Sequence, residues 1–172
     1  TAAAAMGDAL QAVHDDIAAD HPSVVHVDGA ALAALPPADV LLFDARDVEE
    51  YGVSHLPGAI RVDPDVEPEA FLARYGAEVE GRVVVFYCSV GRRSSIVAER
   101  LQAALFERGA AGVANLEGGI FEWRNTERPL VDAVGTTRFV HPYDRWWGRY
   151  VEDEAALRYT PRTSGEREED DE

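Results

Sequence analysis

The residue in this sequence best equipped for chemistry is Cys88, the one cysteine of the chain. A thiolate, not a thiol, is the nucleophile, so a reactive cysteine needs surroundings that favour the anion. Val83 to Tyr87 is an unbroken apolar run of strand length and delivers Cys88 at the carboxyl end of a strand. Ser89, Val90 and Gly91 then make a tight connection whose N–H groups can curl inward as an anion nest. Arg92 and Arg93 add cationic groups, and Ser94 is placed to cap a helix reaching Glu107, whose positive end would face the sulfur. A lone cysteine is ordinarily a small buried hydrophobe. Two arginines and a phosphate-loop-like turn directly after it are not what such a residue requires, so we read Cys88 as functional, cradled by the amides of residues 89 to 93.

The elements that must position this loop are legible on both sides of it. Val97, Leu101 and Leu105 recur at four-residue spacing, which turns one face of the helix onto a sheet while Glu99, Arg100 and Glu107 face out, and Gly109 ends it. A short strand is expected around Gly112 to Leu116, then Gly118-Gly119 and a short helix carrying Phe121 and Trp123. Upstream, Ala2 to Ala19 reads as a helix lined by Leu10, Val13 and Ile17. Val24 to Val27 follows as a strand, with Asp28 as the N-cap of a helix from Gly29 to Leu35 that Pro36-Pro37 stops. Val40 to Phe43 is a second continuous apolar run, as in a strand covered on both faces, and Asp44 stands at its end. Strands alternating with helices predict an α/β fold built on a mostly parallel sheet.

At 172 residues the chain has room for one catalytic-size domain with extensions. A formal charge of -16 disfavours nucleic acid as a partner, because a polyphosphate is repelled. No apolar run approaches the roughly 18 residues of a membrane span. The N-terminal segment lacks the basic start and long apolar stretch of a signal peptide, so the expected location is cytoplasmic. One cysteine leaves no internal disulfide and no multi-thiolate metal site, which suits a reducing compartment; neither metal nor cofactor is expected.

Cys88-Ser89-Val90-Gly91-Arg92-Arg93-Ser94 resembles the Cys-x-x-Gly-x-Arg-Ser active loop of rhodanese domains. Asp44-Ala45-Arg46, Glu50-Tyr51 and His55-Leu56-Pro57-Gly58-Ala59 are similar to a second signature of that family, and Leu116-Glu117-Gly118-Gly119 with Trp123 to its closing element. The resemblance implies a five-stranded, mostly parallel sheet with helices on both faces. It sets the rhodanese domain at 21–128, while composition and pattern read 1–20 as an N-terminal helical extension, 129–163 as an aromatic-rich appendage packed on the core and 164–172 as a disordered acidic tail. It further implies sulfur transfer. The Cys88 thiolate would take a sulfur atom from a small donor such as thiosulfate, hold it as a persulfide and pass it to an external acceptor: cyanide, a thiol or a sulfur-acceptor protein.

Among the arginines, Arg93 stands at the helix start, where it can turn to a carboxylate such as Glu50, which leaves Arg92 as the expected donor contact. Asp44 and Arg46 are expected to form a structural ion pair supporting the site. His55 is expected in a turn. Two other readings are weighed: a binding module that uses the fold without turnover, and a phosphatase or arsenate reductase. Against the latter, the loop arginine of protein tyrosine phosphatases stands one position further from the cysteine, and the shorter loop here has a smaller mouth, suited to a sulfur atom. The aromatic segment with Phe139, Tyr143, Trp146 and Trp147 is expected to pack on the core, and with Arg145 and Arg149 it offers two further uses that the sequence leaves open, a cover over the site mouth or a dimer face.

Overall fold

A computed structural model describes residues 5–166. Its centre is a five-stranded parallel sheet of β1 (Val25–Val27), β2 (Val40–Asp44), β3 (Ile60–Arg61), β4 (Val83–Tyr87) and β5 (Gly112–Leu116), in the order β1-β5-β4-β2-β3. Among the described residues six α-helices accompany it: α1 (Asp8–Asp20), α2 (Gly29–Ala34), α3 (Val48–Val53), α4 (Pro68–Tyr75), α5 (Arg92–Glu107) and α6 (Gly119–Asn125). The strand β4, from whose end Cys88 emerges, is the middle one, paired along its length with β2 and β5. The carboxyl end of a central parallel strand is where open α/β sheets place ligands.

The two-residue period of β4 sorts its side chains onto two cores. Val84 and Phe86 face Phe71 and Tyr75 of α4 and Val97, Leu101 and Leu105 of α5. Val85 and Tyr87 face the other way, toward Leu10 and Ile17 of α1, Leu32 of α2 and Ile120, Phe121 and Trp123 of α6. An unbroken apolar run is therefore required, because no face of this strand meets water. Asp28 caps α2 as expected, its Oδ1 accepting from the Ala31 amide at 2.7 Å.

Several boundaries differ from the sequence expectation. The first helix starts at Asp8 rather than Ala2, after Gly7 in an extended conformation; residues 1–4 lie outside the described residues. The strand β3 and the helix α4 do not follow from patterning, since the one is two residues long and the other is a short segment opened by Pro68. Ser94 does not cap the helix after Cys88. Gly91, at φ +117°, turns the chain so sharply that α5 already begins at Arg92, and Ser94 lies inside its first turn.

The segment after Pro129 is built into the core. It forms the hairpin of β6 (Leu130–Val131) and β7 (Thr136–Thr137), and Leu130, Val140 and Val151 join the α1–α6 cluster. Reciprocal backbone bonds between His55 and Val131, 2.9 and 3.0 Å, tie it to the turn after α3. A buried Arg162–Asp132 pair at 2.8 Å fastens its far end. The acidic tail, expected to be disordered from residue 164, instead opens with a 3-10 turn at Ser164–Glu166, because Glu166 accepts from Arg158 and from the Thr163 amide; 167–172 lie outside the described residues. Among the described residues, no helix is long and apolar enough to cross a membrane.

At the carboxyl ends of β2 and β4 lies a fully buried polar cluster. Arg46 donates to Asp44 from Nε and Nη2, at 3.0 and 2.7 Å, and from Nη2 to the Ser54 carbonyl at 2.7 Å. The Tyr87 hydroxyl donates to Asp44 Oδ2 at 2.6 Å and accepts from the Leu56 amide at 3.1 Å. Burial and the Asp44 charge push the Tyr87 phenol well above its ordinary value, so it remains a donor at any working pH. Replacing Tyr87 by Phe leaves the Leu56 amide without its acceptor and Asp44 with one donor fewer. We expect a loss of about 2 to 3 kcal/mol in urea unfolding with an unchanged m-value, the size of a buried hydrogen bond to a charged group; a change within about 0.5 kcal/mol would show the cluster to be dispensable.

Candidate active site

The loop after β4 closes over itself through Cys88. The Gly91 amide donates to Cys88 Sγ at 3.2 Å, and the Ser94 hydroxyl lies 3.3 Å from the same sulfur. Of the amides expected to cradle the sulfur, that of Gly91 is in bonding range, and the hydroxyl expected to cap the helix is a second polar contact. Both are hydrogen-bond donors that a negative sulfur can use, and the start of the four-turn helix α5 adds its dipole. A thiolate or a persulfide anion is thus the kind of group this loop accommodates.

Beneath the loop, the first turn of α6 forms the floor. Ile120 and Phe121 donate their amides to the carbonyls of Cys88 and Ser89, at 2.9 and 3.1 Å. This approach is open only to glycine at position 119: a Cβ there would lie 2.5 Å from both of those carbonyl oxygens, and φ is +58°. Gly119 is therefore explained by contact with the cysteine loop, while Gly118, at φ +70°, would crowd Glu122 with a Cβ.

The arginines divide as the sequence reading anticipated in part. Arg93 turns to Glu50 and pairs with it through two bonds, 2.8 and 2.9 Å, while also donating to Ser89 Oγ at 2.9 Å. Ser89 Oγ in turn donates to Glu50 Oε2 at 3.1 Å. Burial alone would raise the Glu50 carboxyl, but the Arg93 bonds and charge, with that of Arg46, hold it below the ordinary glutamate value. Arg92 lies beside the sulfur pocket with its guanidinium 2.9 Å from Asp20 of α1. Asp44 and Arg46 do not reach the pocket; they form the buried pair under it. Val90 is buried and contributes to the pocket wall. His55 sits in the turn after α3, stacked on Tyr51 at 3.8 Å.

The pocket itself, about 180 Å³, is lined by Cys88, Ser89, Val90, Arg92 and Arg93 and, from the appendage, Tyr143 and Trp147. Two residues of the aromatic segment, Tyr143 and Trp147, thus stand at the mouth of the site, while Trp146 is exposed. Tyr143 holds φ +70°, a left-handed conformation costly for a bulky residue, and its ring lies under the Arg93 guanidinium at 5.0 Å. Its amide donates to His141 Nδ1 at 2.9 Å, which steadies the turn. Asn115 is a site residue the sequence reading missed. It is fully buried on β5, accepts from the Ser94 hydroxyl at 2.6 Å, and lies 3.1 Å from where a Gly91 Cβ would stand. The signal for it was a polar side chain within an otherwise apolar strand, which must find partners inside.

Comparison with known proteins agrees with this geometry. The model of the rhodanese-like domain matches residues 28–126. A sulfurtransferase of Allochromatium vinosum is 33% identical over 97 residues, 56% of this chain and 83% of its own. A tRNA uridine(34) hydroxylase of Oceanobacillus iheyensis is 36% identical over 91 residues, 51% of this chain but 26% of its own. The chain spans less than half the length of the first curated relatives it matches. The crystal structure of a thiosulfate sulfurtransferase from Pseudomonas aeruginosa shares the fold, with a TM-score of 0.53 at 20% identity over 85% of this chain and 27% of that one.

The Glu50–Arg93 pair carries a pH signature. A carboxyl whose folded value is depressed contributes stability that is complete above the ordinary glutamate range and lost as pH falls through its own lower value. Glu50→Gln should therefore be about 2 kcal/mol less stable than wild type near neutrality, and the gap should narrow steadily as the medium is acidified. Urea titrations across that range check it; a gap independent of pH would mean that the pair's charge contributes nothing.

Proposed function

The chain belongs to the rhodanese-like domain family, which it shares with sulfurtransferases, and from that premise we propose that it moves sulfane sulfur through a Cys88 persulfide. The Cys88 thiolate attacks the outer sulfur of a donor such as thiosulfate; the donor's S–S bond breaks, sulfite leaves with the electron pair, and Cys88 carries a terminal sulfur anion. An acceptor nucleophile then attacks that terminal sulfur, and the electron pair of the breaking S–S bond returns to Sγ as thiolate. Both resting forms are anions in the same place. The observation that carries the reading is the Gly91 amide donating to Cys88 Sγ, with the Ser94 hydroxyl 3.3 Å from the same sulfur, at the floor of an open pocket sized for a small donor.

With one cysteine in this sequence, the acceptor comes from outside it: cyanide, a small thiol or a sulfur-acceptor protein. We assign Arg92, which lines the rim with its guanidinium paired to the exposed Asp20, as the cation that meets an anionic donor. The charge of -16 argues against nucleic acid, and a free nucleophilic thiol suits a reducing compartment such as the cytoplasm. Against phosphoryl chemistry stands Arg93, whose fork is taken by Glu50 and Ser89, leaving a phosphoryl group without the bidentate partner it needs.

Intact mass after incubation with thiosulfate tests the proposal. Wild type should gain one sulfur, about 32 Da, and lose it to cyanide with release of thiocyanate, while Cys88→Ala gains nothing. A gain with an organic persulfide but not with thiosulfate would keep the carrier and discard the donor. No gain with any sulfane donor overturns the sulfurtransferase reading in favour of a binding module.

A further inference from the structure

The Ser94 hydroxyl has one proton and two candidate acceptors, Cys88 Sγ at 3.3 Å and Asn115 Oδ1 at 2.6 Å. The shorter contact holds the proton, so in this arrangement the hydroxyl points away from the sulfur. Behind Asn115, its Nδ2 lies 3.0 Å from Nδ1 of His26 on β1. An amide that turns its oxygen to Ser94 turns its NH2 to His26, which makes His26 Nδ1 the acceptor and the ring neutral. The His26 proton then resides on Nε2, a buried atom without a hydrogen-bond partner.

Protonating His26 at Nδ1 reverses the chain. Two donors, the Asn115 NH2 and the new N–H, would face each other at that 3.0 Å contact. Turning the amide about its own axis restores the bond, with Oδ1 accepting from His26 and Nδ2 donating to Ser94 Oγ. The hydroxyl then accepts from Asn115 and has Cys88 Sγ as its one remaining partner for the proton. We infer that Asn115 and His26 are positioning residues for Cys88: through the orientation of one amide they decide whether Ser94 offers its proton to the sulfur. A protonated His26 and a negatively charged Sγ therefore favour each other, and the linkage is reciprocal.

The inference deepens the sulfurtransferase reading and rests on it for its purpose, since Sγ becomes a thiolate leaving group each time sulfur is handed on. The charged and titratable groups around His26 pair among themselves. His14 of α1, whose ring meets that of His26 edge-on at 5.0 Å, contacts Glu117 at 3.5 Å. His21 contacts Glu99 of α5 at 3.0 Å, and Asp20 contacts Arg92 at 2.9 Å. Burial, then the charges of His14 and His21, lower the His26 value below that of an ordinary histidine.

Alkylation of Cys88 by iodoacetamide across pH tests this apart from any sulfur donor. In wild type the rate profile should show a second inflection at the His26 midpoint, with limbs offset roughly tenfold, the size of a hydrogen bond gained by an anion. His26→Phe should follow a single ionisation. The His26 midpoint, read by NMR of the ring, should be higher in wild type than in Cys88→Ala. That comparison decides the matter should His26→Phe not fold. A single-ionisation profile in wild type, an inflection that survives His26→Phe, or equal NMR midpoints overturns the relay. Failure of persulfide formation with the inflection intact sinks the sulfur-transfer reading alone.

Discussion

The buried pairing of Asp44 with Arg46 is the constraint from which the rest of the site is built. Removing two charges from water costs several kcal/mol per ion, and the cost is met only if almost every lone pair and proton finds a partner. Here it fixes the ends of β2 and β4 through the Tyr87 hydroxyl and the turn after α3 through the Ser54 carbonyl and the Leu56 amide. The Arg46 charge also helps to keep Glu50 ionised. Glu50 holds Ser89 and Arg93, the second and sixth residues of the cysteine loop. A chain of charge-assisted bonds thus runs from a place no substrate reaches to the loop around the sulfur.

Seen from the loop, this arrangement separates two uses of positive charge. Arg93 is neutralised by Glu50 and acts as a girder, so the sulfur is served by weaker, closer devices: one amide, one hydroxyl and a helix terminus. Such a setting suits the proposed alternation between thiolate and persulfide, because an anion held by a full guanidinium pair would be stabilised too well to pass its sulfur on. The aromatic wall of Tyr143 and Trp147 belongs to the same economy. It narrows the mouth without adding charge.

Much of this was legible in the sequence. The apolar runs Val40–Phe43 and Val83–Tyr87 were expected as strands buried on both faces; both are strands, β4 is buried on both faces from Val84 on, and β2 keeps Val40 and Leu42 partly exposed on one face. Cys88, the loop and the Arg93–Glu50 contact followed from residue types and family resemblance. What escaped had no local signature. The strand β3 exists because β2 offers it an edge, and its two residues carry no period of their own. Ser94 looked like a cap because capping is the local use of serine, whereas its partners come from β4 and β5 by tertiary packing. Asn115 and His26 are 89 positions apart in the sequence and meet only because β1 lies beside β5. The place of Tyr143 and Trp147 depended on how the appendage folds back, which composition does not encode.

The close approach of Gly119 to the carbonyls of Cys88 and Ser89 bears on descent and on engineering. Two loops that share a backbone surface cannot drift separately: a side chain gained at one must be answered by a shift of the other. The heptad of residues from Cys88 to Ser94 is therefore not a portable cassette. Grafted onto another parallel sheet, it would keep its sequence and lose its shape unless the glycine that opens α6 travelled with it, and the heritable unit of this loop is two segments.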